Sequence, residues 1–402
     1  MTAARGSVAL AATLAIQIFV SLAATATAVL APEIASAHAI APKWIGVFIG
    51  LVYAGAMCSS LASGGFIQRY GAIRVSQACT LLCAGGAAAI ALAPAGSVAV
   101  LVAAAAVIGI GYGPITPASS HVLIRTAPPN RMALTFSIKQ TGVPAGAALA
   151  GAVLPGLALL LGWKPACLAV AAAGLVVVAA AQPVRAALDT GLKPDHRLSP
   201  AGIFAPLKLV LRSPALAELA LVAFFYASTQ VCLTTFIVVY LTDALSWSLV
   251  AAGLALTVTT LGGVAGRIAW GIVADRWLPP RRVLGIIGLV AGGCGCAMAA
   301  AGDTWPSPLL LLVAGVFGTT AIGWNGVQLA ELARHAPAGS AGAVTGAAGF
   351  VGFSGVVAGP PLFALIASSA GGYRAGFGVF GLVSALCGAV LLWRRAAGTR
   401  HG

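Results

Sequence analysis

Twelve apolar segments, each about as long as a bilayer is thick, dominate this sequence and leave only short polar connections between them. A membrane-spanning helix needs about 20 mostly apolar residues to cross about 30 Å of hydrocarbon. The sequence predicts such helices, numbered here as spans 1 to 12, near residues 8–32, 44–66, 73–93, 98–124, 132–158, 163–183, 214–241, 247–273, 282–301, 307–332, 340–369 and 373–393. The predicted fold class is an all-α membrane protein.

The scarcity of charge excludes other classes of protein. Charged residues make up 7% of the chain, whereas a soluble domain is usually about a quarter charged, so they cannot coat a soluble surface of this size. Hydrophobic residues make up 60%, which excludes a disordered chain, because disorder requires low hydrophobicity. A nucleic-acid partner is not expected, because the net charge of +14 is spread over short loops and forms no soluble basic domain.

The distribution of basic residues predicts the orientation in the bilayer. Cytoplasmic loops carry an excess of lysine and arginine. With both termini in the cytoplasm, Lys43, Lys164 and Arg374 fall in outer loops and Lys139 and Arg267 fall within spans. The other 17 of the 22 basic residues then lie on the inner side. We therefore predict a multi-pass protein of a bacterial-type inner (plasma) membrane, with both termini cytoplasmic.

The longest polar stretch divides the chain into two halves that repeat one another. Residues 184–213 form a predicted cytoplasmic linker between six-helix bundles at 1–183 and 214–402. The stretch Gly64–Arg74 follows span 2, and the similar stretch Gly271–Arg282 follows span 8, at an offset of about 207 residues. Duplicated six-helix bundles are typical of transporters, whose substrate site lies near the midplane between the repeats. The sequence thus predicts two pseudo-symmetric bundles.

These two stretches resemble a loop motif of the major facilitator superfamily, and the resemblance extends over essentially the whole chain. The second copy reads G-x-x-x-D-R-x-x-x-x-R-R, whereas the first has Gln68 where the second has Asp275. The resemblance implies the twelve-helix fold of that superfamily. It also implies that the residues of the two copies form a latch that stabilises the outward-facing state, and that the second copy contributes the stronger interaction. The predicted latch residues are Gln68, Arg69, Arg74, Asp275, Arg276, Arg281 and Arg282. The alternative is that they only anchor the topology.

Lys139 and Arg267 are the two basic residues inside spans. Each lies eight residues from an inner-end charge, Arg131 or Asp275, which places it about 12 Å deep at 1.5 Å per residue. A cation at the centre of a spanning helix costs about 2.5–3.5 kcal/mol, so it rarely faces lipid. We predict that both residues face the cavity and bind a carboxylate. The alternatives are that Lys139 snorkels to the inner surface and that Arg267 pairs with Asp275.

Further polar and aromatic side chains lie at mid-span depth. Spans 1, 4, 7 and 10 line the cavity of the superfamily that the chain resembles. An amide that faces lipid lacks hydrogen-bond partners, which favours a cavity position for Gln230 and Asn325. The predicted substrate-binding residues besides Lys139 and Arg267 are Gln140, Tyr53, Tyr112, Tyr226, Gln230, Trp324, Asn325 and Gln328.

The predicted function is secondary active transport of a small organic anion, and a monocarboxylate in particular, by alternating access coupled to protons or to exchange. The segment Gly266–Gly271 is similar to the span 8 arginine region of monocarboxylate and oxalate–formate type members. Members of the oxalate type also have a basic residue in span 11, and this sequence has none there. The alternative is a proton-driven multidrug or metabolite exporter of the same fold, with Glu33, His121 or Glu331 as proton relay.

An enzyme is not expected, because the five histidines are scattered and no nucleotide-binding loop occurs. The eight cysteines fall in apolar stretches, where they are expected to pack as small hydrophobic residues rather than to bind a metal. We therefore predict no metal and no cofactor, and a monomer whose partners are the lipid bilayer, the organic anion and protons.

Overall fold

A computed structural model describes residues 2–41, 44–196, 198–302, 304–368 and 371–398. The first-half spans are formed by the helices Thr2–Val29, Ile45–Tyr70, Ala72–Leu92, Val98–Tyr112 with Ile115–Thr126, Met132–Gln140 with Gly142–Leu161, and Trp163–Leu188. The second-half spans are formed by Pro214–Leu245, Leu249–Arg276, Pro280–Ala300, Ser307–Ala321 with Asn325–His335, Ala341–Ala367, and Gly372–Gly398. Within the described residues, twelve helical segments are long and apolar enough to cross a membrane, and the predicted number is confirmed. Lys43, used in the orientation argument, lies outside the described residues.

Two short α-helices in the described part of the chain were not predicted. The helix Ala31–Ala37 follows span 1, and the helix Pro200–Arg212 lies within the predicted linker, residues 184–213. The side chain of Ser199 caps the second of these helices, because its Oγ accepts a hydrogen bond from the backbone N–H of Gly202 at 3.1 Å. At 13 residues this helix is too short to be found by a criterion based on bilayer thickness.

Spans 4, 5 and 10 are each interrupted within the bundle. Pro117 follows Gly113 by four residues, and Pro144 follows Gln140 by four residues. A proline has no N–H to donate to the carbonyl four residues earlier, so the helical ladder breaks at these positions. Span 10 is interrupted between Ala321 and Asn325. Because spans 4 and 10 are equivalent in the repeat, both halves interrupt the same helix.

The chain forms two compact units. Unit 1 contains Met1–Pro128, Lys139–Ala217 and His335–Phe353, and unit 2 contains Pro129–Ile138, Glu218–Arg334 and Ser354–Gly402. These units differ from the predicted halves by two exchanged segments, 129–138 and 335–353. Each exchanged segment carries the start of a span, 5 or 11, that contacts helices of the other half of the sequence. The predicted bundles, 1–183 and 214–402, stay a prediction.

Glycine brings helices into close contact in both units. A Cβ atom at Gly318 would lie 1.9 Å from the carbonyl oxygen of Thr259, and one at Gly266 would lie 2.2 Å from the carbonyl oxygen of Thr319, so spans 8 and 10 touch backbone to backbone. In unit 1, a Cβ atom at Gly146 would lie 2.2 Å from the carbonyl oxygen of Ile18. Lipid supplies no hydrophobic force between helices, so such small-residue contacts stabilise the bundle by close packing.

Replacing Gly318 with alanine is expected to destabilise the protein by about 1–3 kcal/mol, because spans 8 and 10 must move apart to admit the methyl group. The melting temperature in detergent measures this effect. Gly293→Ala is the matched control, since nothing lies within 4 Å of a Cβ atom at Gly293 on its exposed helix face. Equal melting temperatures for the two variants would contradict the packing argument.

Candidate functional site

The ammonium group of Lys139 lies inside unit 1, where spans 1, 4 and 5 meet. Lys139 is fully buried, and its Nζ donates to Oε1 of Gln17 at 2.6 Å and to Oε1 of Gln140 at 3.0 Å. A third oxygen, Oγ1 of Thr116, lies 3.4 Å away. All three oxygens are uncharged, and each belongs to a side chain near an interrupted helix or on span 1. The ammonium therefore points into the protein and does not snorkel to the inner surface.

Two predicted tyrosines form an aromatic cluster in the same unit. The rings of Tyr53 and Tyr112 meet edge to face with their centroids 6.2 Å apart, and both rings lie about as far from Phe353, at 6.2 Å and 6.1 Å. Thr116 follows Tyr112 by four residues across the interruption of span 4, so the cluster and this partner of Lys139 lie on either side of that interruption. The cluster supplies apolar faces and phenol hydroxyls suited to a small organic molecule.

Arg267 is the corresponding buried cation of unit 2. Its side chain is 2% exposed, and its Nε donates to the carbonyl oxygen of Ile322 at 3.1 Å, at the interruption of span 10. The same carbonyl oxygen accepts a hydrogen bond from Nδ2 of Asn325 at 3.3 Å. The interruption of span 10 thus offers a backbone acceptor that holds the guanidinium in place.

Gln230 joins spans 7 and 10 beside that interruption. Its Oε1 accepts one hydrogen bond from Nε1 of Trp324 and another from Nδ2 of Asn325, both at 3.1 Å. The structure therefore brings four of the predicted residues, Arg267, Gln230, Trp324 and Asn325, into one connected network. The three polar side chains on this network hold each other in fixed rotamers, which keeps the guanidinium environment rigid.

Two other predicted residues of unit 2 are engaged with backbone carbonyls. The hydroxyl of Tyr226 donates to the carbonyl oxygen of Leu284 at 2.9 Å, and its ring meets that of Trp324 edge to face at 5.7 Å. Nε2 of Gln328 donates to the carbonyl oxygen of Leu219 at 2.9 Å. These bonds tie spans 9 and 10 to span 7, so both side chains have a structural role.

The second copy of the loop motif acts on the start of span 5. Oδ1 of Asp275 accepts the N–H of Ala133 at 3.0 Å, and Oδ2 accepts the N–H of Leu134 at 2.7 Å. These N–H groups belong to the first turn of a helix, where no intrahelical acceptor exists and a negative charge is favoured. Gly271 lies one turn before Asp275, and a Cβ atom there would be 3.0 Å from the Cα atom of Leu134. Gly271 therefore leaves room for the close approach of the helix Met132–Gln140, and Asp275 caps the start of that helix.

The arginines of the second copy have separate positions. Nη2 of Arg281 forms an ion pair with Oε1 of Glu218 at 2.7 Å, and its Nε donates to the carbonyl oxygen of Leu391 at 3.2 Å. Arg276 and Arg282 are exposed. Among the residues that the structure describes, Asp275 forms no ion pair with Arg267, so the alternative that these two residues pair is wrong.

The first copy lies on unit 1 and uses an acid from another segment. Asp189, which follows span 6, accepts the N–H groups of Ile73 at 2.8 Å and Arg74 at 3.0 Å and so caps span 3. Burial raises the pKa of Asp189, although these two N–H groups and Arg185 favour its charged form. Nη1 of Arg69 lies 3.5 Å from the carbonyl oxygen of His196.

The three candidate proton relays occupy different environments. Glu33 is exposed on the short helix Ala31–Ala37, His121 is half-buried in span 4, and Glu331 is buried in span 10. Glu331 is therefore the acidic candidate placed inside a span of the bundle.

Several residues of the site were missed from the sequence. Thr116 lacked a signal of its own, although the Gly113-Pro114 pair beside it marks an interruption where side-chain and backbone oxygens become available. Glu218 lies at the start of the predicted span 7, and Asp189 lies in the predicted linker. Phe353 is one of many apolar residues of span 11. Their roles depend on contacts between helices, which a single sequence does not encode.

Comparisons with known proteins agree with this architecture. The model of the Major Facilitator Superfamily matches residues 13–360. The fold is similar to that of the human organic anion transporter MFSD10 (TETRAN), with a TM-score of 0.76 and 18% identity over 96% of this chain and 99% of that chain. It is also similar to a variant of the E. coli fucose:proton symporter FucP, with a TM-score of 0.74 and 16% identity over 96% of this chain and 98% of that chain. A structure of FucP in the outward conformation has a TM-score of 0.73 at 16% identity, over 97% of this chain and 99% of that chain. No curated protein matches the sequence.

Proposed function

This chain belongs to the Major Facilitator Superfamily, and from that premise we propose that it is a secondary active transporter of a small organic anion, in particular a monocarboxylate. Transport proceeds by alternating access and is coupled to protons or to exchange. The protein crosses the membrane many times. We further propose that the membrane is a bacterial-type inner membrane with both termini in the cytoplasm, because 17 of the 22 basic residues then lie on the inner side.

The observation that carries the proposal is the buried ammonium of Lys139. Side-chain oxygens of Gln17, Gln140 and Thr116 lie within hydrogen-bond distance of this group and position it. A positive charge in a low-dielectric interior interacts with an anion more strongly than the same charge in water does. A carboxylate that accepts a hydrogen bond from Lys139 would gain a charge-assisted interaction. The aromatic cluster of Tyr53, Tyr112 and Phe353 suits the organic part of the same substrate.

Arg267 contributes a second positive charge in unit 2. Its guanidinium is planar and presents N–H groups in a fixed fork that matches a carboxylate. The network of Gln230, Trp324 and Asn325 holds its surroundings rigid, which favours selective binding over loose attraction. The similarity in fold to MFSD10, an organic anion transporter, supports an anionic substrate without identifying it.

Replacing Arg267 with lysine is expected to weaken substrate binding about tenfold, because the charge remains while the fork and the bond to Ile322 are lost. The concentration of carboxylate that gives half-maximal uptake measures this effect. Arg374→Lys is the matched control, since Arg374 is exposed near the start of span 12 and is not one of the latch residues. Wild-type affinity in Arg267→Lys would remove Arg267 from the substrate-binding residues.

The runner-up is a proton-driven multidrug or metabolite exporter of the same fold. The observation that favours it is Glu331, a buried carboxyl group within span 10 that could carry a proton. FucP, a fucose:proton symporter of similar fold, uses protons, and this chain would then do so as well. In this alternative the cargo is cationic or neutral, and Glu331 is the proton relay.

Uptake by purified protein in liposomes distinguishes the two functions. We expect saturable uptake of labelled monocarboxylates, inhibited by unlabelled carboxylates and not by organic cations. An imposed pH gradient accelerates uptake if protons are coupled, whereas preloaded unlabelled carboxylate accelerates it if exchange operates. Liposomes without protein provide the background. Transport of organic cations against a proton gradient, with no carboxylate uptake, would establish the exporter instead.

A further inference from the structure

The two copies of the loop motif pack against equivalent helices. A Cβ atom at Gly271 would lie 3.0 Å from the Cα atom of Leu134, the third residue of the helix that starts span 5. A Cβ atom at Gly64 would lie 2.7 Å from the Cβ atom of Ala343, the third residue of the helix that forms span 11. The first copy therefore approaches the start of span 11 as the second copy approaches the start of span 5.

The copies differ in the residue one turn after the glycine. In the second copy, the carboxylate of Asp275 accepts the N–H groups of Ala133 and Leu134. In the first copy this position is Gln68, whose side chain forms no hydrogen bond with any residue that the structure describes. The negative charge present in one copy is thus missing from the equivalent place in the other.

A cavity of about 430 Å³ occupies that place in unit 1. Its wall includes Gln68 on one side and Ser340, just before span 11, on the other. The charged or titratable side chains that line it are His121, Arg125, Asp189 and Lys193. The cavity is large enough for a small ion with its hydration or for a phospholipid headgroup.

The charges around the cavity favour an anion. Nη1 of Arg125 donates to the carbonyl oxygen of Thr190 at 2.9 Å, and Nη2 donates to the hydroxyl of the same residue. Two of its five N–H groups are used in these bonds, so the guanidinium is oriented and still has donors to offer. Lys193 is exposed, and its ammonium has no partner within the described part of the chain. Asp189 directs both carboxylate oxygens to the N–H groups of span 3.

We infer that this cavity binds an oxyanion of the phosphate class, which supplies to the first copy of the motif the negative charge that Asp275 supplies to the second. Arg125 and Lys193 are its principal cationic partners, and His121 adds a hydrogen-bond donor. The bound oxyanion holds the segment before span 11 to the loop between spans 2 and 3. It thereby stabilises this arrangement of unit 1. The cavity is lined neither by Lys139 nor by its neighbours Gln17, Gln140 and Thr116, and the inference does not depend on which substrate is transported.

Inorganic phosphate is the first probe, added to the purified full-length protein in detergent at constant ionic strength with chloride as the reference. We expect a saturable rise in melting temperature of about 2 °C or more, with half the effect in the millimolar range. Phosphate binds the folded protein at this cavity, so the rise depends on concentration. Chloride at the same ionic strength is expected to produce no such rise.

Variants locate the site. Arg125→Gln and Lys193→Gln are expected to weaken the phosphate effect at least tenfold, because each removes a charged donor. Lys208→Gln is the matched control, since Lys208 is an exposed inner-side lysine that does not line the cavity. Gln68→Glu restores the missing carboxylate, so it is expected to raise the melting temperature without phosphate and to abolish the response to phosphate.

The source of the oxyanion is tested in lipid nanodiscs without phosphate in the buffer. A rise in melting temperature with phosphatidylglycerol over phosphatidylcholine, lost in Arg125→Gln, identifies a lipid headgroup. A response to inorganic phosphate alone identifies a free anion. The proposal is overturned if neither probe acts on the wild type. It is equally overturned if the response persists in Arg125→Gln and Lys193→Gln, since the anion would then bind elsewhere.

Discussion

Replacing Lys139 with glutamine is expected to reduce the affinity for carboxylate at least tenfold while the protein stays folded. A hydrogen bond to a charged group contributes about 1.5–3 kcal/mol net, which corresponds to about tenfold or more in affinity. Glutamine can still donate to Oε1 of Gln17, and removing a buried cation relieves its desolvation cost. The concentration dependence of uptake into liposomes measures affinity, and the melting temperature reports on folding.

Lys164→Gln is the matched control for this experiment, because Lys164 is exposed at the start of span 6 and lies over the ring of Trp163. It is expected to leave affinity unchanged. If Lys139→Gln folds and binds carboxylate as the wild type does, the buried ammonium has no role in substrate binding. The exporter alternative, with Glu331 as the proton relay, would then be preferred.

Replacing Asp275 with asparagine is expected to release the start of span 5 from the end of span 8 and to slow transport at least tenfold. The amide has one acceptor oxygen, so one of the two N–H groups, of Ala133 or Leu134, loses its partner. An unsatisfied donor costs about 1–3 kcal/mol, and the favourable interaction of the negative charge with the helix start is also lost. The contact is therefore expected to open in most molecules.

Spin labels at Asn130 and Trp277, which are both exposed and both in unit 2, report on this contact. Their distance distribution is expected to lengthen and broaden in Asp275→Asn. Asp243→Asn is the control, because Asp243 is an exposed acid whose carboxylate accepts a bond from the adjacent Thr242. An unchanged distance together with wild-type transport would leave Asp275 only the role of anchoring the topology.

The sequence predicts the spans well because bilayer thickness imposes a length that apolar runs must meet. The same criterion misses the helix Pro200–Arg212, which does not have to cross the bilayer. Prolines explain the interruptions of spans 4 and 5, but span 10 is interrupted without a proline at the equivalent position, and only its packing against span 8 marks the place.

The candidate site was predictable only in part. The burial of Lys139 and Arg267 follows from the cost of a charge in lipid, and the grouping of Gln230 with Asn325 follows from the needs of buried amides. The hydrogen-bond partners of Arg267 and Asp275 could not be predicted from the sequence. Ile322 contributes a backbone carbonyl, which every residue has, and Ala133 contributes a backbone N–H, which every residue except proline has, so the side chains at these positions carry no signal.

The interruptions of spans 4 and 10 also determine how the protein meets a bilayer of changing thickness. Span 4 consists of two rods of 15 and 12 residues, and span 10 of two rods of 15 and 11 residues. An unbroken helix answers a mismatch with the hydrocarbon by tilting as a whole. An interrupted helix bends at its interruption. In this protein Thr116, which contacts Lys139, and Ile322, which contacts Arg267, lie at the interruptions. A change in the acyl-chain length of the host lipid that bends spans 4 and 10 at these interruptions is therefore expected to move residues that contact the two buried cations.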